Sequence, residues 1–306
     1  MRQLLPFSAV EYPFARDHEM RIPPYWAKGT YTGTDREAVD HTYWAWGWSF
    51  TSISAAEEDA TARAKRIFDR LTGGTRPDSY DYLERPLREE IVEVLSQGDD
   101  EIAVITRNRY GALVLNASSV CFADVDFPKP TSQGLIDSVL LFFSKSKREQ
   151  RMQAACDATV QAVRNWAERN PQHSFRLYRT RAGLRLLFTD RLYDPTSDET
   201  VDLLTNVGSD PLYRRLTERQ ECFRARLTPK PWRCGCSTPW SRYPWDDAEA
   251  ESTHRDWQRE YEAKTTGYAT CQFVESIGGG APDERTRSIV DIHDQYTCGE
   301  MGTRLA

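Results

Sequence analysis

The sequence lacks most of the features that place a chain at a glance. No apolar run approaches the roughly 18–20 residues of a membrane helix; the longest burst, Val139-Leu140-Leu141-Phe142-Phe143, is far shorter. The opening Met1-Arg2-Gln3-Leu4-Leu5-Pro6 has no apolar core leading to a small-residue cleavage site, so no secretory signal is expected. Neither G-x-S-x-G, a Walker-type phosphate loop nor H-E-x-x-H occurs, which argues against the common serine-hydrolase, P-loop and zincin chemistries. An excess of positive charge is missing too. With 40 Lys and Arg against 46 Asp and Glu, the net charge is −6, so any contact with a polyanion must come from a local basic surface. The seven cysteines are odd in number and scattered. In a chain too long to need cross-links they read as reduced thiols of a cytosolic protein.

What is present suffices for a core. The chain has 306 residues, 39% hydrophobic and 28% charged, enough for one large domain or two modest ones. Residues 1–52 are rich in Pro, Trp and Tyr, and densest at Tyr43-Trp44-Ala45-Trp46-Gly47-Trp48. Two readings of that cluster compete: a platform for stacking bases, or rings packing an arm against the core, as large aromatics more often do. Ser52 or Ser54 caps a helix to about Leu71, where Ala60, Ala64, Ile67 and Leu71 recur at helical spacing before Gly73-Gly74. Leu87, Ile91 and Leu95 place a second helix over 85–95.

After Gly98 the period changes to two. Strands are expected at 102–106 and 112–116 around the turn Asn108–Gly111, then at 120–127, ended by Pro128 and Pro130. A connector (131–145) leads to a helix over 147–170, with Met152, Ala155, Val160, Val163 and Trp166 inward. Strands at 174–180 and 184–189, helices at 197–206 and 211–221, a Pro/Trp/Cys-rich loop at 228–246 and a charged helix at 247–263 follow. Strands at 268–275 and 288–292 flank Gly278-Gly279-Gly280.

Two segments carry chemistry. In Cys121-Phe122-Ala123-Asp124-Val125-Asp126-Phe127 the strand period puts Asp124 and Asp126 on one face. Carboxylates so close repel unless a positive charge lies beside them. A divalent cation, Mg²⁺ or Mn²⁺, completed by substrate phosphates would supply it; so would a nearby arginine. In Tyr178–Phe188 the turn offers Thr180, Arg181 and Arg185 around Gly183, and guanidinium suits phosphate.

A D-x-D strand, a long helix and a hairpin of the form Thr-x-x-Gly-Leu-x-hydrophobic together resemble the archaeo-eukaryotic primase and primase-polymerase superfamily over about residues 101–190. The resemblance implies an RRM-like palm, metal binding by Asp124 and Asp126 with a later acid, and nucleotide phosphates at the second motif. Asp291, in Ser288-Ile289-Val290-Asp291-Ile292, is the candidate third acid. Where the family carries a phosphate-binding histidine, this sequence holds Arg185.

Between Tyr213 and Arg233 lie Arg214, Arg215, Arg219, Arg224, Arg226, Lys230 and Arg233 against Glu218 and Glu221, interleaved with Tyr213, Phe223 and Trp232. Basic groups with aromatics suit single-stranded nucleic acid or nucleotide phosphates; a helix whose arginines pair with acids elsewhere has the same composition. Cys234-Gly235-Cys236 could give two thiolates to Zn²⁺, with Cys222, His254 or Cys271 completing the site. His293 beside Asp291 and Asp294 offers another acid–histidine group.

The expectation is an α+β fold: an RRM-like antiparallel or mixed central sheet with helices mainly on one face. An aromatic arm and helices (1–98) would precede the core (99–306), with a basic insertion at 207–246. The leading function is metal-dependent nucleotidyl or phosphoryl transfer, with a nucleoside triphosphate and single-stranded or primed nucleic acid as partners. Arg181 and Arg185 would meet the triphosphate, and Arg224, Arg226, Lys230 and Arg233 a template backbone. The alternatives are a non-catalytic nucleotide- or nucleic-acid-binding protein, and a structural protein.

Overall fold

The computed structural model describes residues 22–73, 86–128, 145–299 and 302–306; the expected connector at 131–145 lies almost wholly outside them. The fold is α+β with antiparallel sheets, divided into two compact units, Met1–Arg88 and Glu89–Ala306. No helix among the described residues is long and apolar enough to cross a membrane.

In the first unit, β1 (Tyr25–Thr34) and β2 (Asp40–Ser49) form an antiparallel hairpin covered by α1 (Ile53–Thr72). Asp35 shapes the turn: its carboxylate accepts the backbone N–H groups of Glu37 and Val39 and meets His41 Nε2 at 2.7 Å. Ser52 caps α1 by accepting the Ala55 N–H at 3.1 Å. The helix buries Ala56, Ala60, Ala64 and Phe68, one turn apart. That stripe of small side chains meets glycines. A Cβ on Gly47 would lie 2.2 Å from the Ala60 nitrogen, and one on Gly29 2.5 Å from the Thr61 nitrogen. The hairpin alternation therefore divides the aromatic cluster: Tyr43 packs with Phe68, whereas Trp44 points outward.

The second unit carries two four-stranded antiparallel sheets instead of the single RRM-like one expected. One has the order β3 (Glu90–Gln97), β4 (Asp100–Arg107), β5 (Leu113–Ala117), β9 (Phe223–Arg226). The other has the order β11 (Cys271–Ile277), β7 (Phe175–Thr180), β8 (Gly183–Phe188), β6 (Phe122–Asp126). The chain bends at Ser118-Ser119-Val120, so the Asp-bearing strand leaves the β4–β5 hairpin and pairs with β8. A short parallel pair joins β10 (Tyr268–Ala269) to β12 (Arg304–Leu305).

The helices are α2 (Lys145–Arg169), α3 (Asp198–Asn206), α4 (Pro211–Gln220), α5 (Ala248–Thr265) and α6 (Glu284–Thr297). Over the second sheet, Val163 and Trp166 of α2 are buried, and Trp166 meets Phe175 and Phe188. Met152, expected inward, is exposed, because the buried stripe runs through Cys156, Thr159 and Val163. Strand β8 is buried at every position, as expected of a central strand covered on both faces.

Two expected elements change type. The helix expected over 85–95 is instead strand β3 from Glu90, and the boundary between the two units falls at Arg88/Glu89. Register shifts at Ile91/Glu93 and Leu95/Ser96 interrupt the two-residue alternation and leave Leu87, Ile91 and Leu95 at helix-like spacing. The strand expected over 288–292 is the middle of α6, capped by Asp283 and burying Ile289, Val290, His293 and Thr297. A short apolar run such as Ser288–Ile292 fits either element, and here the cap and the i, i+4 pattern decide.

Candidate phosphate-binding cleft

The cleft lies where edge strand β6 of the second sheet comes beside edge strand β9 of the first. Asp124 on β6 stands directly opposite Arg185 on β8. The Arg185 guanidinium holds both carboxylate oxygens, Nε to Oδ1 at 2.9 Å and NH2 to Oδ2 at 3.3 Å. Its NH1 donates to the Arg226 carbonyl at 3.0 Å and reaches Cys271 Sγ at 3.8 Å. The side chains are 3% exposed for Arg185 and 35% for Asp124. Burial works against the Arg185 charge, but Asp124 more than offsets it and holds the guanidinium firmly protonated. The sequence carries a signal for this pair: one cation in the buried run Gly183-Leu184-Arg185-Leu186-Leu187-Phe188 needs a carboxylate beside it.

The backbone around Asp124 is equally fixed. Its carbonyl accepts the Asp210 N–H at 2.9 Å and the Ser209 hydroxyl at 3.1 Å. Asp210 in turn caps α4 through the Tyr213 N–H, which brings Tyr213 and Thr217 to the cleft wall. On the other side of β6, a Cβ at Gly183 would lie 2.2 Å from the Val125 oxygen. That glycine lets β8 approach β6, rather than a ligand. The Thr180 hydroxyl lies 3.1 Å from both the Gly183 oxygen and nitrogen and closes the β7–β8 turn, leaving Arg181 exposed at its tip.

The cavity has a volume of about 230 Å³, and its walls include Asp124, Arg185, Arg224, Arg226 and Lys230. These cations are not equivalent. Arg224 is neutralised by Glu89, with NH2 at 2.8 and 2.7 Å from its two oxygens, and Glu89 also accepts the Thr106 hydroxyl at 2.6 Å. Among the described residues, Arg226, Lys230 and Arg233 make no ion pair within 4.0 Å. Arg226 also buries its Nε without a hydrogen-bond partner. Burial, with the charges of Arg185 and Arg233, pushes Arg226 down to about 10. Burial and the neighbouring Arg226 and Arg233 lower Lys230 against the opposing pull of Asp126 and Asp124. Burial and Arg181 lower Arg233. At the rim, Lys230 Nζ lies 5.6 Å from the Trp232 ring, which is edge-on to Tyr110.

The geometry does not suit a two-metal centre as it stands. Both Asp124 oxygens are engaged by Arg185, Asp126 is exposed, and Asp291 is exposed on α6 rather than on a strand. Among the described residues no three His, Cys, Asp or Glu side chains gather closely enough to hold a metal ion. Cys234 and Cys236, the expected zinc pair, are buried with Trp257 and Tyr261, and burial raises both thiols. Of the residues expected to complete that site, His254 Nδ1 meets the Ser241 carbonyl at 3.1 Å, burial pushes Cys222 up to about 12, and Cys271 lies against Arg185. His293 is fully buried, with Nδ1 3.0 Å from Asp294, which also accepts from Arg176 and Tyr178. That group serves the packing of α6 on β7.

All seven cysteines are free, and only Cys298 is not fully buried. A thiol reagent should therefore modify about one cysteine in the native protein and all seven in denaturant; several fast-reacting native thiols would contradict this packing.

Sequence reasoning singled out the cations but not which of them are neutralised. Glu89, Asn108 and Tyr110 were missed, since nothing in their local pattern ties them to residues more than a hundred positions away. Compared with family models, curated proteins and solved structures, the chain matches none, so the cleft is argued from its own geometry.

Proposed function

We propose that this protein binds a nucleotide, or a nucleotide unit of a nucleic acid, through its phosphates at the cleft between β6 and β9, and that binding needs no divalent metal. One observation carries the reading. Arg226, Lys230 and Arg233 are drawn together without carboxylate partners, while Asp124, the acid nearest them in the cavity wall, is held by Arg185. A phosphate would relieve that mutual repulsion and give the buried Arg226 Nε an acceptor. Trp232, 51% exposed beside Lys230, supplies a face on which a base could stack, which favours a nucleotide over inorganic phosphate.

A second reading, metal-dependent nucleotidyl transfer of the primase-polymerase kind, is favoured by one feature. Asp126 and Asp124 share a strand face, and both act on Lys230 electrostatically. It requires Asp124 to exchange Arg185 for Mg²⁺ or Mn²⁺.

Calorimetric titration with ATP, in metal-free buffer and with Mn²⁺, separates the readings. Metal-independent binding that weakens about tenfold in Lys230→Ala is expected, the loss of one charge-assisted contact. Binding that appears only with Mn²⁺ and disappears in Asp126→Asn would move the conclusion to nucleotidyl transfer. No binding under either condition overturns both.

A further inference from the structure

We propose that the outward face of the β1–β2 hairpin is a platform for single-stranded nucleic acid, with bases stacking on Trp44 and Trp46. This goes beyond the cleft and stands whether or not the cleft binds a nucleotide.

Within the first unit the two faces of the hairpin have different compositions. The inner face, covered by α1, presents Ala27, Gly29, Tyr31, Tyr43, Ala45 and Gly47. The outer face presents Lys28, Thr30, Thr32, Thr42, Trp44 and Trp46, and register pairs Lys28 with Trp46 and Thr30 with Trp44. Packing onto α1 explains the first set and leaves the second unexplained. Trp44 is 56% exposed, a position where a large ring contributes nothing to the core of the hairpin.

The exposed Trp44 and the half-buried Trp46 are also placed like a stacking site. Two positions apart on one strand they project from the same face about 7 Å from each other, a spacing that one extended nucleotide can bridge. Cations surround them: Lys28 Nζ is 4.5 Å from the Trp44 ring and 6.0 Å from that of Trp46, and the Arg88 guanidinium is 5.6 Å from Trp46. Arg63 of α1, over the neighbouring Trp48 at 3.4 Å, is already paired with Asp59 at 2.6 Å and is not one of them. The one acid among the outward-facing strand residues, Asp40, sits at the turn end of the hairpin and accepts the Thr34 hydroxyl. Aromatic faces for bases and cations for the backbone, with no carboxylate between the rings, complement single-stranded nucleic acid. A face whose single acid sits at the turn end, away from the exposed Trp44 and the half-buried Trp46, favours a polyanion over a polypeptide partner.

The test is fluorescence anisotropy with fluorescein-labelled 20-nucleotide oligothymidylate and oligouridylate at low and moderate salt, using the full chain. Salt-sensitive binding is expected, weakened roughly tenfold by Trp44→Ala and largely restored by Trp44→Phe, in line with the loss of one stacked base. Lys28→Ala should reduce the salt dependence. Circular dichroism of each variant checks that the hairpin is folded. The proposal is overturned if the wild type does not bind either oligomer. It is equally overturned if folded Trp44→Ala and Lys28→Ala bind as the wild type does, or if the loss is confined to the cleft variant Lys230→Ala. A change in self-association by sedimentation in Trp44→Ala, with oligonucleotide binding intact, would make the face a protein interface and likewise overturn it.

Discussion

Asp124→Ala is expected to lower the stability of the protein by about 3 kcal/mol, the lower end of what removing one partner of a buried ion pair costs. The lower end applies because the Asp124 side chain is 35% exposed while that of Arg185 is 3% exposed. The cost is that of leaving a buried guanidinium without a counter-charge, rather than the net worth of the pair. Replacing both residues, as Asp124→Ala with Arg185→Met, should therefore recover much of the loss, and a double-mutant cycle in urea would measure the coupling. A single-variant loss below about 0.5 kcal/mol, the usual range for exposed sites, would mean the pair is not formed. The distinction matters for any functional assay. Activity lost in Asp124→Ala would report damage to the fold as readily as loss of a metal ligand. The exposed Asp126 is the cleaner probe of metal binding.

Gly47→Ala should be comparably damaging, about 3 kcal/mol, at the upper end of the cost of forcing extra volume into a packed site. The new methyl would lie 2.2 Å from the Ala60 nitrogen and 2.4 Å from the Ala56 oxygen, and neither backbone atom can swing aside as a side chain could. Relief would require α1 to lift from the hairpin, uncovering Ala56, Ala60, Ala64 and Phe68 together. Thermal unfolding followed by far-ultraviolet circular dichroism would show the loss. Gly98→Ala is the converse case: Gly47 has ordinary strand backbone and no room, whereas Gly98 has φ 62° and no atom near the added carbon. Its cost should stay near the roughly 1 kcal/mol of a left-handed conformation alone. A loss in Gly47→Ala no larger than that in Gly98→Ala would show that the helix–hairpin contact yields to the added methyl.

Much of the fold was legible because most elements obey one period and are closed by a recognisable stop. The β4–β5 and β7–β8 hairpins, the long α2 and the Ser52-capped α1 all do so. The exceptions have local causes: two register shifts in β3, and in α6 an apolar run too short to reveal its period. What no local pattern contains is partnership at long range. Strand alternation places Asp124 and Asp126 on one face. It does not reveal that β8, 61 positions on, sets Arg185 against the first of them. In the same way the basic run from Arg214 to Arg233 contains cations of one type with opposite fates. Arg224 meets Glu89, 135 positions back, whereas Arg226, two residues later on the same strand, meets no carboxylate within ion-pair distance. Composition can count such charges but cannot tell which are neutralised.

That contrast on β9 bears on how the chain can change over time. Burial and neighbouring cations disfavour the charged forms of Arg226, Lys230 and Arg233, so these charges weigh against the folded state. Random substitution that favours robustness would therefore erode this cluster first. In a chain that retains all three, stability and ligand affinity pull in opposite directions at these positions. The most heat-resistant variant of this protein and its tightest binder should be different molecules.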